Sequence, residues 1–199
     1  MKYRLGFVSD KESESWVGGS SFLPNHNFYE VHESGAINAG PNEIIEAVST
    51  LDMRADKVAD ALLTIRELPK KAINIFRKEF NYVDSAPFGF DTFTLLQKNS
   101  HELSLGLVGR FWRPDLGIVD ISDAQEFVSF YRQRVSKLVV RFQVIEYPDG
   151  SNTLRTETFV DCPDFQTKVL FTPYWLGIRL ASGLIRRRTL SSIRSALNT

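Results

Sequence analysis

The sequence predicts an α+β fold in which a curved antiparallel sheet wraps around a long C-terminal helix. Strand patterns are grouped in the second half of the chain and do not alternate with helices, which favours antiparallel pairing. Two of them, Val135–Tyr147 and Thr153–Val160, flank the turn Pro148-Asp149-Gly150 and form a hairpin. A helical stretch from about Asp164 to Leu197 follows, much longer than the average helix. A sheet wrapped around such a helix leaves a cavity between the two.

The chain begins with an arm, residues 1–27, and continues into a single domain, residues 28–199. The arm is assigned because Lys11–Asn27 is rich in Ser, Gly, Asn and charge and shows no sustained period. Phe28–Ile37 alternates as a first strand, and Gly40-Pro41-Asn42 then introduces a helix. The apolar side of that helix is Ile44, Ile45 and Val48, and further helices are predicted at Lys57–Ile65 and Pro69–Phe80.

The middle of the chain is rich in strands. The predicted elements are strands at Phe90–Lys98, Glu102–Arg113 and Ile118–Ile121 and a short helix that Ser122-Asp123 caps and that ends at Tyr131. Within the second of these strands, Gly106 and Gly109 mark a bend, a bulge or the close approach of another backbone. The whole sheet should have about six or seven strands, counted from these patterns.

Length, charge and cysteine content exclude several classes of protein. A chain of 199 residues suits one domain, and 24 basic against 24 acidic residues give no overall field that favours nucleic acid. Cys162 is the only cysteine, so an intramolecular disulfide is impossible and a reducing compartment is favoured. Because Met1–Asp10 lacks the pattern of a secretory signal and no long apolar run occurs, we expect a cytoplasmic protein with no membrane span.

The terminal helix carries one narrow stripe at spacings of three and four residues. Its members are Trp175, Arg179, Ser182, Arg186, Leu190, Ile193 and Leu197. The last three form a packing face. Trp175 lies on the same stripe, so we expect Trp175, Leu190 and Ile193 to be buried. The same stripe turns Arg179 and Arg186 toward the sheet. An arginine in that place needs an anion or a carboxylate partner, because an unpaired buried charge is costly.

Glu157 is the candidate partner for these arginines. Strand alternation puts Val140, Phe142, Val144, Leu154 and Thr156 on one side of the hairpin and Arg141, Gln143, Arg155 and Glu157 on the other. The pattern does not say which side is concave. Three interpretations stay open: a structural ion pair, a site for an anionic head group on Arg179 or Arg186, and catalysis by Glu157.

Other residues have both a functional and a structural interpretation. Trp112, Tyr174 and Trp175 either line an apolar pocket or pack in the core, and Pro173 either kinks the terminal helix or begins it. The cluster of Arg186, Arg187, Arg188 and Arg194 is a solvated face or a weak peripheral membrane contact, at about 1 kcal/mol for each arginine.

Metal and thiol chemistry have little support in the sequence. His26, His32 and His101 lack metal-ligand spacing with Cys162 and are interpreted as surface residues. Cys162 precedes the terminal helix. Either the N-terminus of that helix lowers the pKa of the thiol, or the thiol is a spectator. We therefore expect no metal and no cofactor, and no catalytic residue is assigned.

The order of elements resembles the START-like superfamily, also called SRPBCC or helix-grip. The segments Gly109–Pro114, Leu154–Thr158, Tyr174–Arg179 and Ser182–Arg187 are similar to bacterial members of that superfamily. The resemblance covers about Phe28 to Leu197 and implies a sheet that grips the C-terminal helix. The superfamily includes lipid carriers, hormone receptors and polyketide cyclases, so the resemblance specifies a fold more closely than a function.

Together these observations predict a small-molecule-binding protein with an internal apolar cavity for a hydrophobic or amphipathic ligand, lipid-like or polyketide-like. Arg179 and Arg186 would orient its polar end. The predicted ligand-binding residues are Arg110, Trp112, Glu157, Tyr174, Trp175, Arg179 and Arg186. One alternative is an enzyme resembling cyclases or aromatases, in which Arg110 or Glu157 assists proton transfer. Another is an interaction or stress-related module with a filled core and no ligand.

Overall fold

The computed structural model describes residues 6–9, 12, 18–50, 92–113 and 115–198, apart from the side chains of 180–186 and 188. Its elements are β1 (Phe28–Glu33), α1 (Pro41–Ser49), β2 (Thr94–Lys98), β3 (Glu102–Gly109), α2 (Ala124–Ser129), β4 (Ser136–Glu146), β5 (Asn152–Asp161) and α3 (Phe165–Leu197). The predicted α+β class is confirmed. The helices predicted at Lys57–Ile65 and Pro69–Phe80 lie outside the described residues.

The strands form one antiparallel sheet with the order β1-β5-β4-β3-β2. The described residues therefore contribute five strands to it, where the sequence predicted six or seven. The segment Ile118–Ile121, which was predicted as a strand, forms only an isolated bridge between Val119 and Val108. A turn with positive φ at Leu116 and Gly117 precedes this segment, and the cap of α2 follows it, so no ladder develops.

β3 is shorter than predicted because the chain turns after Gly109. Arg113 N donates to Arg110 O at 2.8 Å, which closes that turn. A Cβ at Gly109 would lie 2.8 Å from the carbonyl oxygen of Leu116. The close approach of another backbone, one of the three readings of this glycine, is therefore confirmed.

The two faces of the sheet are covered by different parts of the chain. On the helix face, Phe142, Val144 and Leu154 pack against α1 and the C-terminal end of α3. On the arm face, Val139 and Phe159 pack against α2 and against Val8 and Leu23, the buried apolar residues that the arm contributes to this cluster. The predicted alternation of the hairpin is confirmed, because Phe142 pairs with Thr156 and Arg141 pairs with Glu157.

The start of each helix has a sequence feature that reduces or satisfies its free backbone N–H groups. Pro41 stands in the first turn of α1, and the Glu43 carboxylate accepts from Gly40 N at 3.0 Å. Asp123 caps α2, and Asp164 caps α3 by accepting from Thr167 N at 2.8 Å. α3 continues through Pro173, so this proline does not begin the helix. Within the described part of the chain, no helix is long and apolar enough to cross a bilayer.

α3 packs on the sheet through two separate apolar contacts. Phe171 and Trp175 join a cluster with Phe28 and Val160, while Leu190 and Ile193 join the cluster under α1. Trp175, Leu190 and Ile193 are 3%, 2% and 2% exposed, so their predicted burial is confirmed. Arg179 lies between these two contacts, and there the interface between helix and sheet becomes polar.

Candidate functional site

A group of polar side chains interrupts the apolar interface between α3 and the sheet. We call it the polar seam, and it comprises Glu30, His32, Thr156, Thr158 and Arg179. Alternation along β1 turns Glu30 and His32 to the helix face, together with Phe28. In the pairing of β1 with β5, Thr158 stands opposite Glu30 and Thr156 opposite His32. Two neighbouring strands therefore present four polar side chains to α3.

The charged groups of the polar seam meet at the Glu30 carboxylate. His32 Nε2 lies 3.1 Å from Glu30 Oε1, and Arg179 Nε lies 3.8 Å from the same oxygen. The first distance is that of a hydrogen bond, and the second is that of an ion pair. The side chain of Glu30 is 7% exposed and that of Arg179 is 30% exposed. The seam therefore extends from a buried carboxylate to a partly exposed guanidinium.

The Thr156 hydroxyl lies in the polar seam without a hydrogen-bond partner among the described residues. Thr156 is 2% exposed, and its Oγ1 has no hydrogen-bond partner within the described part of the chain. Leaving a buried hydroxyl in this state costs about 1–3 kcal/mol. A strand residue on this face would normally be apolar, as Leu154 and Val160 are. The hydroxyl is therefore available to a bound polar group.

The arm face carries a second polar cluster, which we call the arm network: Tyr29, Arg141 and Glu157. Tyr29 Oη donates to Glu157 Oε1 at 2.5 Å, and Arg141 Nε donates to Glu157 Oε2 at 2.8 Å. Burial, followed by the Glu157 carboxylate, raises the pKa of Tyr29 far above its usual value. The phenol therefore stays protonated and keeps donating to Glu157.

Arg141 also joins the arm network to the N-terminal arm. Its guanidinium donates to the carbonyl oxygens of Gly18 at 2.7 Å and Gly19 at 3.2 Å. It lies over the ring of Phe159, with the guanidinium carbon 5.2 Å from the ring centroid. Both Arg141 and Glu157 are buried. The network therefore holds the arm against the sheet, and both carboxylate oxygens of Glu157 are engaged.

The prediction that Glu157 is the partner of Arg179 is wrong. The side chain of Glu157 points to the arm face, while Arg179 meets Glu30 on the helix face. The prediction that Arg179 has a carboxylate partner is itself confirmed. The helical stripe established that Arg179 faces the sheet, but the carboxylate that it meets belongs to β1, more than a hundred residues earlier in the chain.

The other predicted site residues lie in different surroundings. Arg110 Nε donates to Arg134 O at 3.1 Å, beside the N-terminus of α3. Trp112 and Tyr174 are half-buried against the apolar cluster that contains Trp175. The Arg186 side chain lies outside the described residues. The structure thus brings only Arg179, of the seven predicted residues, into a described contact of the polar seam.

Trp175 forms part of an aromatic cluster that adjoins the polar seam. Its ring centroid lies 5.5 Å from that of Phe28 and 6.1 Å from that of Phe171, both at tilted angles that favour aromatic pairs. Trp175 also precedes Arg179 by one helical turn, and Phe28 precedes Glu30 on the same face of β1. The core interpretation of Trp175 therefore holds, and the cluster forms an apolar wall at one end of the seam.

The position of His26 corrects one expectation, and the position of Cys162 decides between two. His26 is 1% exposed and stands edge-on to Phe159 at 5.1 Å, so its interpretation as a surface residue is wrong. It is buried because the arm folds back over the arm face. Burial also raises the pKa of Cys162 to about 12, so the thiol stays protonated and the helix N-terminus does not activate it.

Among the described residues, no group of three or more potential ligands could hold a metal ion.

Glu30, His32 and Thr156 were not among the predicted ligand-binding residues. A usable signal exists in β1, where the face that begins with Phe28 continues with Glu30 and His32. A strand face that changes from aromatic to charged marks either an exposed edge or a polar site, and only the position of α3 decides between them.

No protein family, no curated protein and no solved structure matches this chain.

Proposed function

We propose that this protein binds a small amphipathic molecule between the sheet and α3, with the polar group of the ligand in the polar seam. The observation that carries the proposal is the buried Thr156 hydroxyl, which has no partner among the described residues and faces the seam. A protein interior selected only for stability would place an apolar residue there. A ligand that hydrogen-bonds this hydroxyl would offset its desolvation.

The charges of the seam favour an uncharged polar group on the ligand. Glu30 already neutralises Arg179, so an anionic head group would bring a second negative charge close to the Glu30 carboxylate. A ligand hydroxyl can donate to Glu30 and accept from Thr156 or Arg179. We therefore favour a hydroxyl or carbonyl group over the anionic group that the arginines alone suggested.

The apolar part of the ligand would lie against the clusters that flank the seam. One is the aromatic wall around Trp175, and the other contains Phe142, Leu154 and Leu190. This arrangement agrees with the helix-grip fold that the sequence resembles, in which the ligand lies between the sheet and the terminal helix. Lipid-like and polyketide-like molecules both carry the required apolar body and polar group.

An enzyme is the second candidate, and the pair of Glu30 and His32 favours it. At 3.1 Å the carboxylate can orient the imidazole, an arrangement that general bases use. This pair replaces Arg110 and Glu157, whose contacts lie elsewhere. If the protein is an enzyme, His32→Gln should retain ligand affinity and lose turnover. A carrier should show neither turnover nor any such difference.

A fluorescent long-chain alcohol tests the binding proposal. Arg179→Ala should weaken its affinity about 10- to 100-fold, as expected for a lost hydrogen bond to a charged group. The matched control is Arg155→Ala: its side chain is 33% exposed and pairs with Glu33 on β1, but it lies on the arm face. This control should bind like the wild type. Equal losses in both variants, or no binding to the wild type, would leave the ligandless module as the better account.

A further inference from the structure

The outward side of α3 exposes an unusual number of apolar side chains. Phe165, Val169, Leu170 and Leu176 are 80%, 52%, 46% and 37% exposed. Phe165, Val169 and Leu176 fall within a sector of about 40° at 100° per residue. We call Phe165, Val169 and Leu176 the docking face, and Leu170 lies about 100° further round the helix. Exposed apolar residues gathered on one side of a helix indicate a site of interaction, whereas single exposed apolar residues do not.

A neighbouring loop extends this apolar surface. Val128, in the last turn of α2, and Tyr131, just after that helix, are 51% and 71% exposed. The loop is attached to the first turn of α3, because Arg134 N donates to the Asp164 carboxylate at 2.9 Å. Val128, Tyr131 and Pro163 line a surface pocket of about 210 Å³. The loop that carries Tyr131 is therefore attached beside the N-terminal end of α3.

The charge of α3 indicates the chemistry of the partner. The helix contains six basic residues and no acidic residue: Lys168, Arg179, Arg186, Arg187, Arg188 and Arg194. Arg187 is exposed and lies in the same angular sector as Val169 and Leu176. Arg132 and Arg134, in the loop after α2, are exposed as well. Arg179 faces the sheet and Arg194 donates to Ala36 O, so the exposed arginines described outside these contacts in α3 and this loop are Arg187, Arg132 and Arg134.

We propose that the docking face binds the surface of an anionic lipid bilayer. A helix with apolar side chains along one side and arginines beside them lies in the plane of the membrane interface, with its apolar side chains at the boundary of head groups and acyl chains. The arginines would contact lipid phosphates. The basic cluster alone is a marginal signal, and the exposed apolar side chains provide the second signal that stable attachment requires.

A second copy of the chain fits this surface less well than a bilayer does. A symmetric dimer through the docking face would bring two basic helices together, and neither helix has an acidic residue to offset the repulsion. The proposal does not rest on a ligand in the polar seam, since Arg179 and Thr156 lie on the sheet side of α3. The two proposals can therefore fail separately.

Co-sedimentation of the full chain with lipid vesicles tests this proposal. We expect binding to vesicles of phosphatidylcholine with about 30% phosphatidylserine, and binding about tenfold weaker to pure phosphatidylcholine. The double variant Phe165→Ser/Val169→Ser should lower the partition coefficient at least about tenfold. The matched control is Leu95→Ser, which removes a side chain that is 55% exposed on the edge strand β2 and should bind like the wild type.

Three results would overturn the membrane proposal. One is the absence of binding to anionic vesicles, or equal binding by the wild type and the double variant. Another is a dimer, detected by light scattering without lipid, that the double variant abolishes, because the face would then bind a second copy. The third is a large fall in the Tm of the double variant without vesicles. That result would mean that another part of the chain covers the face.

Discussion

The two faces of the sheet both carry a buried glutamate near an arginine, but they satisfy it differently. On the arm face, both oxygens of Glu157 accept hydrogen bonds, from Tyr29 and from Arg141. On the helix face, Glu30 lies 3.1 Å from His32 and 3.8 Å from Arg179, and the Thr156 hydroxyl nearby has no partner in the described part of the chain. Among the described residues, the Glu157 carboxylate is fully engaged, whereas the second cluster contains a hydroxyl without a partner.

We interpret this difference as that between a structural cluster and the binding site that we propose. Arg141 and Glu157 are both buried, and they hold the arm to the sheet through fixed backbone carbonyls. A closed network of this kind stabilises one arrangement of the chain. Arg179 is instead 30% exposed, so the polar seam reaches solvent. The pairing of arginine with glutamate is common to both faces, but the two ion pairs differ in length and in the exposure of the arginine.

The largest expected effect is loss of the arm network. Glu157→Ala would leave Arg141 as an uncompensated buried charge, which lowers the free energy of unfolding by about 3–5 kcal/mol. Chemical denaturation monitored by circular dichroism measures this change.

The matched variant on the other face is Glu30→Ala. Its partner Arg179 is partly exposed, and their ion pair is longer than the one between Arg141 and Glu157. We therefore expect the free energy of unfolding to fall by about 1 kcal/mol. If Glu30→Ala destabilises the protein as much as Glu157→Ala, the distinction between the two faces is lost.

A second comparison uses two threonines of β5. Thr156→Val removes a buried hydroxyl without a described partner, and should raise the free energy of unfolding of the unliganded protein by about 1 kcal/mol. The same substitution should weaken ligand binding, because the hydroxyl faces the polar seam.

Thr153→Val is the control for that experiment. Its Oγ1 likewise has no partner among the described residues, but alternation turns it to the arm face. We expect a similar gain in stability and no change in affinity. Equal effects of the two substitutions on affinity would contradict the assignment of Thr156 to the site.

The smallest expected effect is a pH dependence on the arm face. Burial lowers the pKa of His26 below its usual value of 6.5, so the folded protein holds the neutral imidazole. The unfolded chain takes up the proton as the pH falls through about 6.5, so the stability that His26 contributes is fully present above that pH and declines below it. The Tm should therefore fall between pH 7 and pH 5, and less steeply in His26→Phe. An identical slope in the variant would show that other groups cause the fall.

Local periodicity predicted the parts of the fold that depend on it. The stripe of α3 identified Trp175, Leu190 and Ile193 as buried, and alternation in the hairpin put Arg141 beside Glu157. Both patterns arise from the geometry of a single element or a local pair. They specify which way a side chain points relative to its neighbours, and nothing more.

Long-range pairing could not be predicted in the same way. β1 pairs with β5 across more than a hundred residues, and this pairing brings Glu30 under Arg179. Glu157 was the candidate partner because strand alternation groups it with the charged residues of the hairpin, but alternation does not specify which face of the sheet receives α3. The arm has no period, so neither the burial of His26 nor the bonds of Gly18 and Gly19 to Arg141 left a pattern to find.

Native mass spectrometry tests the central claim, a ligand in the polar seam, most directly. The wild type, Thr156→Val, Arg179→Ala and the control Arg155→Ala would each be incubated with long-chain alcohols and acids of equal length. We predict that the wild type and Arg155→Ala retain the alcohol in preference to the acid, while Thr156→Val and Arg179→Ala lose most of the complex. Detection of only the bare chain in the wild type, or equal occupancy in all four proteins, would contradict the claim.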